Sequence, residues 1–310
     1  LIDVELDEVN HRITGSEKIT YHNNSKDTLD YLWMQLDQNL YNPKMIAAQS
    51  RTTSGISGLS FNAFEGLLQA QEFDGGYKIT AVKDASGKSL KHVIVQTMMR
   101  IIPPSPVKPG QKITFSVDWN FNIVDATKMR SRMGYEYFKE DKNHLYALAQ
   151  WFPRMCAYTD VNGWQNKQYL GSGEFALEFG DYLVRITAPA DHIVASTGEL
   201  QNPEKILTKE QRSRLAKARN SKKPVFIVNL EEAKANEKQK AKGKKTWVYK
   251  ADNVRDFAFA SSRKFLWDAM GVDLNGRKIM CMSYWPKEGE PLWSRYSTHA
   301  VAHSVEVYSK

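Results

Sequence analysis

The sequence predicts a mainly β protein that turns to an α/β pattern near its end. Three observations carry this. Turn clusters at Asn23-Asn24-Ser25-Lys26-Asp27, Asp74-Gly75-Gly76, Asp84-Ala85-Ser86-Gly87 and Pro103-Pro104-Ser105-Pro106 separate short apolar runs. Ile113, Phe115, Val117, Trp119 and Phe121 alternate with Thr114, Ser116, Asp118 and Asn120, which puts one face of a strand in a core and the other in water. Beyond Phe265 a strand-like run, Arg277 to Trp285, precedes an amphipathic stretch from Trp293 to Tyr308, with Tyr296, Val301, Val305 and Tyr308 along it.

The remaining elements follow in order. Ile13 to Tyr21 reads as a strand leading into the Asn23 turn, and Leu29 to Leu36 as a second, more buried one. Residues 44–72 are polar and Ser/Thr/Gln-rich, an excursion with a short helix expected around Asn62 to Leu68. Ile206 to Arg219 reads as a weak amphipathic helix or an ordered loop, and Val225-Phe226-Ile227-Val228 as a buried strand. Trp247 and Tyr249 alternate in another strand, which Val254 to Ala260 is expected to continue. The strand and helix after Phe265 open an α/β unit of about 45 residues, too few for an independent core.

At 310 residues, 42% hydrophobic and 25% charged, the chain can bury a full core and has room for two domains. No apolar run approaches membrane-spanning length, so no integral membrane contact is expected. The start at Leu1 lacks an initiator Met and already alternates like a strand, which suggests a missing upstream segment, such as a removed export signal. On that reading the protein is soluble and periplasmic or secreted. Cys156 and Cys281 lie far apart in no C-x-x-C pair, so both are expected as buried free thiols. Asn23-Asn24-Ser25 matches a glycosylation acceptor, a triplet common by chance.

The net charge of +8 is local. Residues 204–245 hold 14 Lys and Arg against 5 Asp and Glu, a net of +9, and the remainder carries −1. Phe226 is the only aromatic residue in that segment, so a stacking face for nucleic acid is not supported and a solvated loop is expected.

Candidate chemistry is sparse. His299 and His303 share a helix face at i,i+4, but Ala300 stands where an H-E-x-x-H helix carries its general base. Glu306 offers a third ligand in principle, yet packing and surface histidines are the favoured reading. Neither Gly171-Ser172-Gly173 nor Gly55-Ile56-Ser57-Gly58 is a nucleophile elbow, and there is no phosphate-binding loop or dinucleotide fingerprint. Trp151, Phe152, Tyr158, Trp164 and Tyr169 crowd one region, as a sandwich core and lid or as the lining of a binding groove.

Several segments together resemble the M1-family zinc metallopeptidases, aminopeptidase N-like enzymes, especially bacterial members. They are Tyr21-His22-Asn23-Asn24-Ser25 with Leu32-Trp33 to Asn39-Leu40-Tyr41, then Gln150-Trp151-Phe152-Pro153, where Arg154 and Met155 depart from the family's F-P-C-F-D. Asp160 to Trp164, Gly171 to Phe175, Ala195-Ser196-Thr197-Gly198 and Lys250 to Ala258 continue the likeness in the family's order. The resemblance implies a saddle-like β-sandwich domain over 1–265 and, over 266–310, the first strand and helix of a thermolysin-like catalytic domain. It implies a peptide substrate and zinc in the full-length enzyme. The zinc helix, the further Glu ligand, the G-x-M-E-N segment and the transition-state Tyr would all follow Lys310, so this fragment is expected to be inactive, to bind no zinc itself and to need the remainder of the catalytic domain. The residue receiving the substrate's amino end would be Gln150, with His144 a weaker candidate. The rival reading is a non-catalytic β-sandwich module that binds a peptide or protein through the aromatic region; nucleic-acid association through 204–245 is a third.

Overall fold

The computed structural model describes residues 1–45, 60, 61, 68, 72–129, 131, 133–171, 176–238 and 240–309. The short helix expected near Asn62 to Leu68, and the Gly55–Gly58 and Gly171–Gly173 segments, lie outside the described residues in whole or in large part. The protein is mainly β. Its largest sheet has seven strands in the order Glu199–Leu200, Lys244–Val254, Gly180–Pro189, Ile2–Asp7, Arg12–His22, Lys112–Asn122 and Lys78–Asp84. Every neighbouring pair is antiparallel except Ile2–Asp7 with Gly180–Pro189, which is parallel.

Alternation sets the inner face. Phe115, Val117, Trp119 and Phe121 are buried, beside Ile2, Val4 and Leu6 from one strand and Trp247 and Tyr249 from another. Gly15 lies opposite Trp119, where a Cβ would come within 2.5 Å of the indole, so only glycine leaves room for that ring.

Two four-stranded sheets contribute to the same core. One runs Arg154–Met155, Leu32–Gln35, Met98–Ile102, Lys91–Val95, and the other Ile193–Ser196, Phe259–Ser262, Asn143–Leu148, Gly134–Phe138. Trp151 links the layers, with its ring centroid 6.5 Å from Trp119 and 5.2 Å from Phe259 and its indole N–H donating to the Phe257 carbonyl at 2.9 Å. Asn23 is fully buried, donating to the carbonyls of Asp27 (2.8 Å) and Val107 (2.9 Å) while Ser25 donates to its oxygen; it is a turn-builder with no room for a glycan.

The strand expected to run on through Ala260 stops at Val254, and Phe259–Ser262 joins a different sheet. Asn253 turns to a positive φ of 55°, and Asp256 is drawn to Arg154 at 2.7 Å, which bends the chain out of the first sheet.

The Lys-rich segment is also ordered beyond expectation. It holds helices Pro203–Ile206, Lys209–Ala218 and Leu230–Lys238 around the strand Val225–Val228. Two capping boxes start the longer helices: Thr208 with Gln211, and Asn229 with Glu232, whose backbone and side chains bond reciprocally at 2.8–3.1 Å. Ile206, Leu207, Ala218, Ile227, Val228 and Ala233 turn inward, and the cations stay outside.

Val225–Val228 pairs with Phe265–Leu274, which forms a hairpin with Arg277–Pro286 through a two-residue Asn275-Gly276 loop at φ of 53° and 79°. The sheet that begins at Phe265 therefore takes its third strand from upstream. Helix Leu292–Tyr308 packs on the hairpin through Thr298, Ala302 and Val305. Tyr296, Val301 and Tyr308, expected along its apolar stripe, are exposed. Thr298 explains the rotation: it is buried, donates to Asp268 and shares a 2.7 Å hydroxyl–hydroxyl hydrogen bond with Ser283 of the hairpin, which turns the small-residue face inward.

Candidate functional site

A cleft of about 900 Å3 lies within the seven-stranded sheet, beside the first residues of Ile2–Asp7. Ile2–Asp7 reaches only as far as Glu17 on one neighbour and Val184 on the other. Lys18–His22 and Gly180–Leu183 run on past it, with the cleft between them. Phe152, Arg154, Met155 and Tyr158 line it, so part of the aromatic region faces a cavity.

Arg154 is held tightly. Its guanidinium donates to Asp37 at 2.7 and 3.2 Å and to Asp256 at 2.7 Å, with Asp37 1% exposed. Burial pushes the Asp37 carboxyl above its ordinary range, and Arg154 pulls it part of the way back. A guanidinium so committed organises the cleft wall. Tyr158 donates to Asp27 at 2.7 Å, and its ring meets Trp164 at 5.2 Å.

Glu17 is different. The alternation Ile13, Gly15, Glu17 puts its side chain on the inward face, where it is 3% exposed, lines the cleft, and leaves Oε1 without a hydrogen-bond partner among the described residues. Burial pushes its carboxyl well above the usual range.

Gln150 does not line this cleft. It adopts a positive φ of 55°, and its backbone carbonyl accepts from Gln38 Nε2 at 2.8 Å and the Tyr77 hydroxyl at 3.1 Å. Its side chain is half-buried. His144 sits in an aromatic cluster with His11 (4.6 Å), Tyr137 (5.0 Å) and Tyr135 (5.6 Å), where burial and the neighbouring His11 lower its pKa to about 4 and keep it neutral. Of the crowded aromatics, Trp151, Phe152 and Tyr169 are core, and Tyr158 and Trp164 are half-buried.

Both cysteines are buried and free. Burial pushes the Cys156 thiol up to about 12 and raises Cys281 as well, so neither is a ready nucleophile. His299, His303 and Glu306 are exposed on the helix.

The one trio of ligand-type side chains among the described residues is Asp141, Glu237 and Glu288. The Lys264 ammonium lies among them, 3.0 Å from Glu237, 2.9 Å from Glu288 and in hydrogen-bond contact with Asp141, and Lys287 also pairs with Asp141 and Glu237. Two ammonium groups take the place a cation would fill.

Sequence reasoning missed Glu17, Arg154 with Asp37, and Lys264. Only Glu17 leaves a local sign, a charged residue at an apolar phase of an alternating strand. The others pair across large separations.

No protein-family model and no curated protein matches this sequence. Solved structures do. A mutant M1 zinc metallopeptidase from Deinococcus radiodurans matches with a TM-score of 0.51 at 10% identity, over 99% of this chain and 51% of that one. Mutant two-domain M1 zinc metallopeptidases bound to L-tryptophan (TM-score 0.51) and to L-arginine (0.50) match at the same 10% identity and the same coverage. The likeness is one of fold, it runs along nearly the whole chain, and this chain spans about half the length of those structures.

Proposed function

We propose that this chain is the N-terminal portion of a zinc aminopeptidase of the M1 type, whose full-length form removes N-terminal residues from peptides with a metal-activated water. The observation that carries the reading is the fold match over 99% of this chain to M1 zinc metallopeptidases twice its length, joined to the motifs from Gln150 to Ala258 that resemble the family in order. Residues 1–265 would form the saddle-like domain and 266–310 the opening of the catalytic domain. Leu292, Trp293, Tyr296, Val307 and Tyr308 present apolar surface on the last helix, which suits packing against further catalytic-domain polypeptide. Gln150 would offer its side-chain oxygen to the substrate's amino end. No helix among the described residues is long and apolar enough to cross a membrane.

By itself the chain would bind no zinc and turn over nothing, since its sequence holds no H-E-x-x-H motif. The test has two parts. The coding sequence beyond Lys310 should hold H-E-x-x-H, and its absence overturns the enzyme reading. The 310-residue chain, given zinc and aminoacyl fluorogenic substrates, should show no chelator-sensitive turnover, whereas the longer protein should.

A further inference from the structure

The four-stranded sheet that begins with Arg154–Met155 ends at its other side on Lys91–Val95, an open edge. Several other edges are blunted: Lys78–Asp84 and Val225–Val228 carry register shifts, and Glu199–Leu200 and Arg154–Met155 are two residues long. Lys91–Val95 pairs with Met98–Ile102 without a shift, holds no proline and is exposed along its whole length. Val93, Ile94 and Val95, three β-branched residues in succession, are 51%, 41% and 51% exposed. Ile94 stands in register with Met99 and Met34, both fully buried, so it points to the core side of its sheet, yet the core does not reach under it. Val93 stands on the other face, in register with Arg100 and Trp33. Both faces of this strand are uncovered, as is its outer edge.

The hairpin fixes which backbone groups face outward. Its two-residue Gln96-Thr97 loop closes on a hydrogen-bonded pair, Val95 with Met98, and such pairs recur at every second residue, so Val93 and Lys91 also bond inward. The N–H and C=O of His92 and Ile94 then point away from the sheet. Gln168 caps only the loop end, accepting from the Thr97 N–H at 2.8 Å and donating to the Val95 carbonyl at 2.9 Å, and no strand among the described residues meets those four groups. They match their own image. A second copy laid antiparallel, with the two-fold axis at Val93, sets His92 of each copy opposite Ile94 of the other and closes four backbone hydrogen bonds. Registers centred on His92 or Ile94 close only two. About Val93, valine meets valine and Lys91 meets Val95, so no like charges stand opposite one another. The two Arg100 side chains, each beside a Val93, lie three strand spacings apart, about 14 Å, beyond the screening length of about 8 Å.

We propose that Lys91–Val95 is a self-association edge: two copies of this chain pair it antiparallel about Val93 and join their four-stranded sheets into one continuous sheet. Four backbone hydrogen bonds and the covering of Val93, Ile94 and Val95 drive the pairing. The contact is small and belongs with weak interfaces, so its dissociation constant should be on the order of 10–100 µM. It uses neither Gln150 nor any zinc chemistry, so its test does not depend on the function proposed above.

The test is sedimentation equilibrium of the intact 310-residue chain at loading concentrations from about 1 to about 300 µM. The mass should rise from monomer toward dimer across that range. Amide exchange at His92 and Ile94 should slow over the same range, while Val93, already bonded inward, stays as it was. Val93→Lys sets two ammonium groups against each other at the axis and should raise the dissociation constant at least about tenfold, as should Val93→Glu with two carboxylates. An equal mixture of the two variants should recover a dimer at least as tight as the parent's, which neither a misfolded variant nor association through helix Leu292–Tyr308 would produce. A parent chain that stays monomeric to the highest concentration overturns the proposal, as do a dimer that ignores Val93→Lys and a mixture that pairs no better than either variant alone. A longer protein with residues beyond Lys310 that stays monomeric over the same range overturns it as well, because its own polypeptide then covers the strand. The parent measurement needs no variant, so the proposal can be refuted even if a variant fails to fold.

Discussion

Arg154 is the most exacting place to test the electrostatics of the cleft wall. In Arg154→Met the aliphatic stem is roughly kept and the guanidinium lost. Asp37, 1% exposed, then retains the Gln35 amide at 3.1 Å but not the bonds at 2.7 and 3.2 Å. Stranding one member of a buried pair costs about 3–5 kcal/mol. Asp256 is 40% exposed in its side chain, so its share is screened and adds at most about 1 kcal/mol. The loss should depend on pH. The Asp37 carboxyl already titrates above its ordinary value of 3.8 because burial outweighs Arg154. A carboxyl raised in the folded state holds a proton there that the unfolded chain has released, so stability falls as pH rises from 3.8 through the folded-state value. Removing Arg154 lifts that value further and widens the window. Urea unfolding should therefore show a deficit near 3–5 kcal/mol at about pH 7 that shrinks toward about pH 4. Arg154→Met with Asp37→Leu should recover most of it, because neither charge is then left alone. A single-variant deficit under about 1 kcal/mol, or one that is flat with pH, would refute the reasoning.

Other outcomes follow from single groups. Glu17→Gln should unfold at a urea concentration no lower than the parent at about pH 7, and the parent should lose ground to it as pH rises above 4.5, since burial raises the Glu17 carboxyl and ionising it in the fold is unfavourable; a markedly weaker variant contradicts this. Gly198→Ala should cost about 2–3 kcal/mol, because φ is +86° there and a Cβ would lie 2.4 Å from the Lys250 carbonyl oxygen; a loss below about 0.5 kcal/mol would show that the turn relaxes freely. Lys264→Met should cost about 3 kcal/mol by leaving Asp141, Glu237 and Glu288 to Lys287 alone, read as a lowered urea midpoint at constant slope.

The alternating strands were legible because each carries its own face: Ile113 to Phe121 names its buried side without reference to any other element. Hairpin Phe265–Pro286 carries its turn in Asn275-Gly276, a dipeptide suited to the positive φ that both residues adopt. The cleft was not legible, because its walls meet only through the pairing of Ile2–Asp7 with Gly180–Pro189 some 180 positions away, and no local pattern specifies that pairing. Residues 204–245 were misread for a related reason. Charge density dominated the reading, while the decisive signals were two capping boxes and a few inward Ala, Ile and Val residues. Helix Leu292–Tyr308 was placed correctly in sequence and rotated incorrectly, since Thr298 outranks Tyr296 through partners that the sequence does not show.

The passage from the sandwich to the terminal hairpin has physical consequences for motion. Strand Phe259–Ser262 is separated from strand Phe265–Leu274 by Arg263 and Lys264 alone, and both side chains are fully buried. Arg263 reaches Glu8 at 2.7 and 2.8 Å and Asp191 at 2.9 Å, binding the junction to the start of the chain and to the segment before Ile193. Lys264 reaches Asp141 beside one four-stranded sheet, Glu237 on a helix and Glu288 after the hairpin. Rotating the hairpin against the sandwich would pull two fully buried cations from the buried carboxylates of Asp191 and Glu237, at several kcal/mol for each. A flexible linker needs an exposed backbone with few partners, and this junction has neither. Any motion of the hairpin against the β core must therefore hinge away from residues 262–265, and Arg263 and Lys264 act as fixed pins that hold the exposed face of helix Leu292–Tyr308 at a set angle to that core.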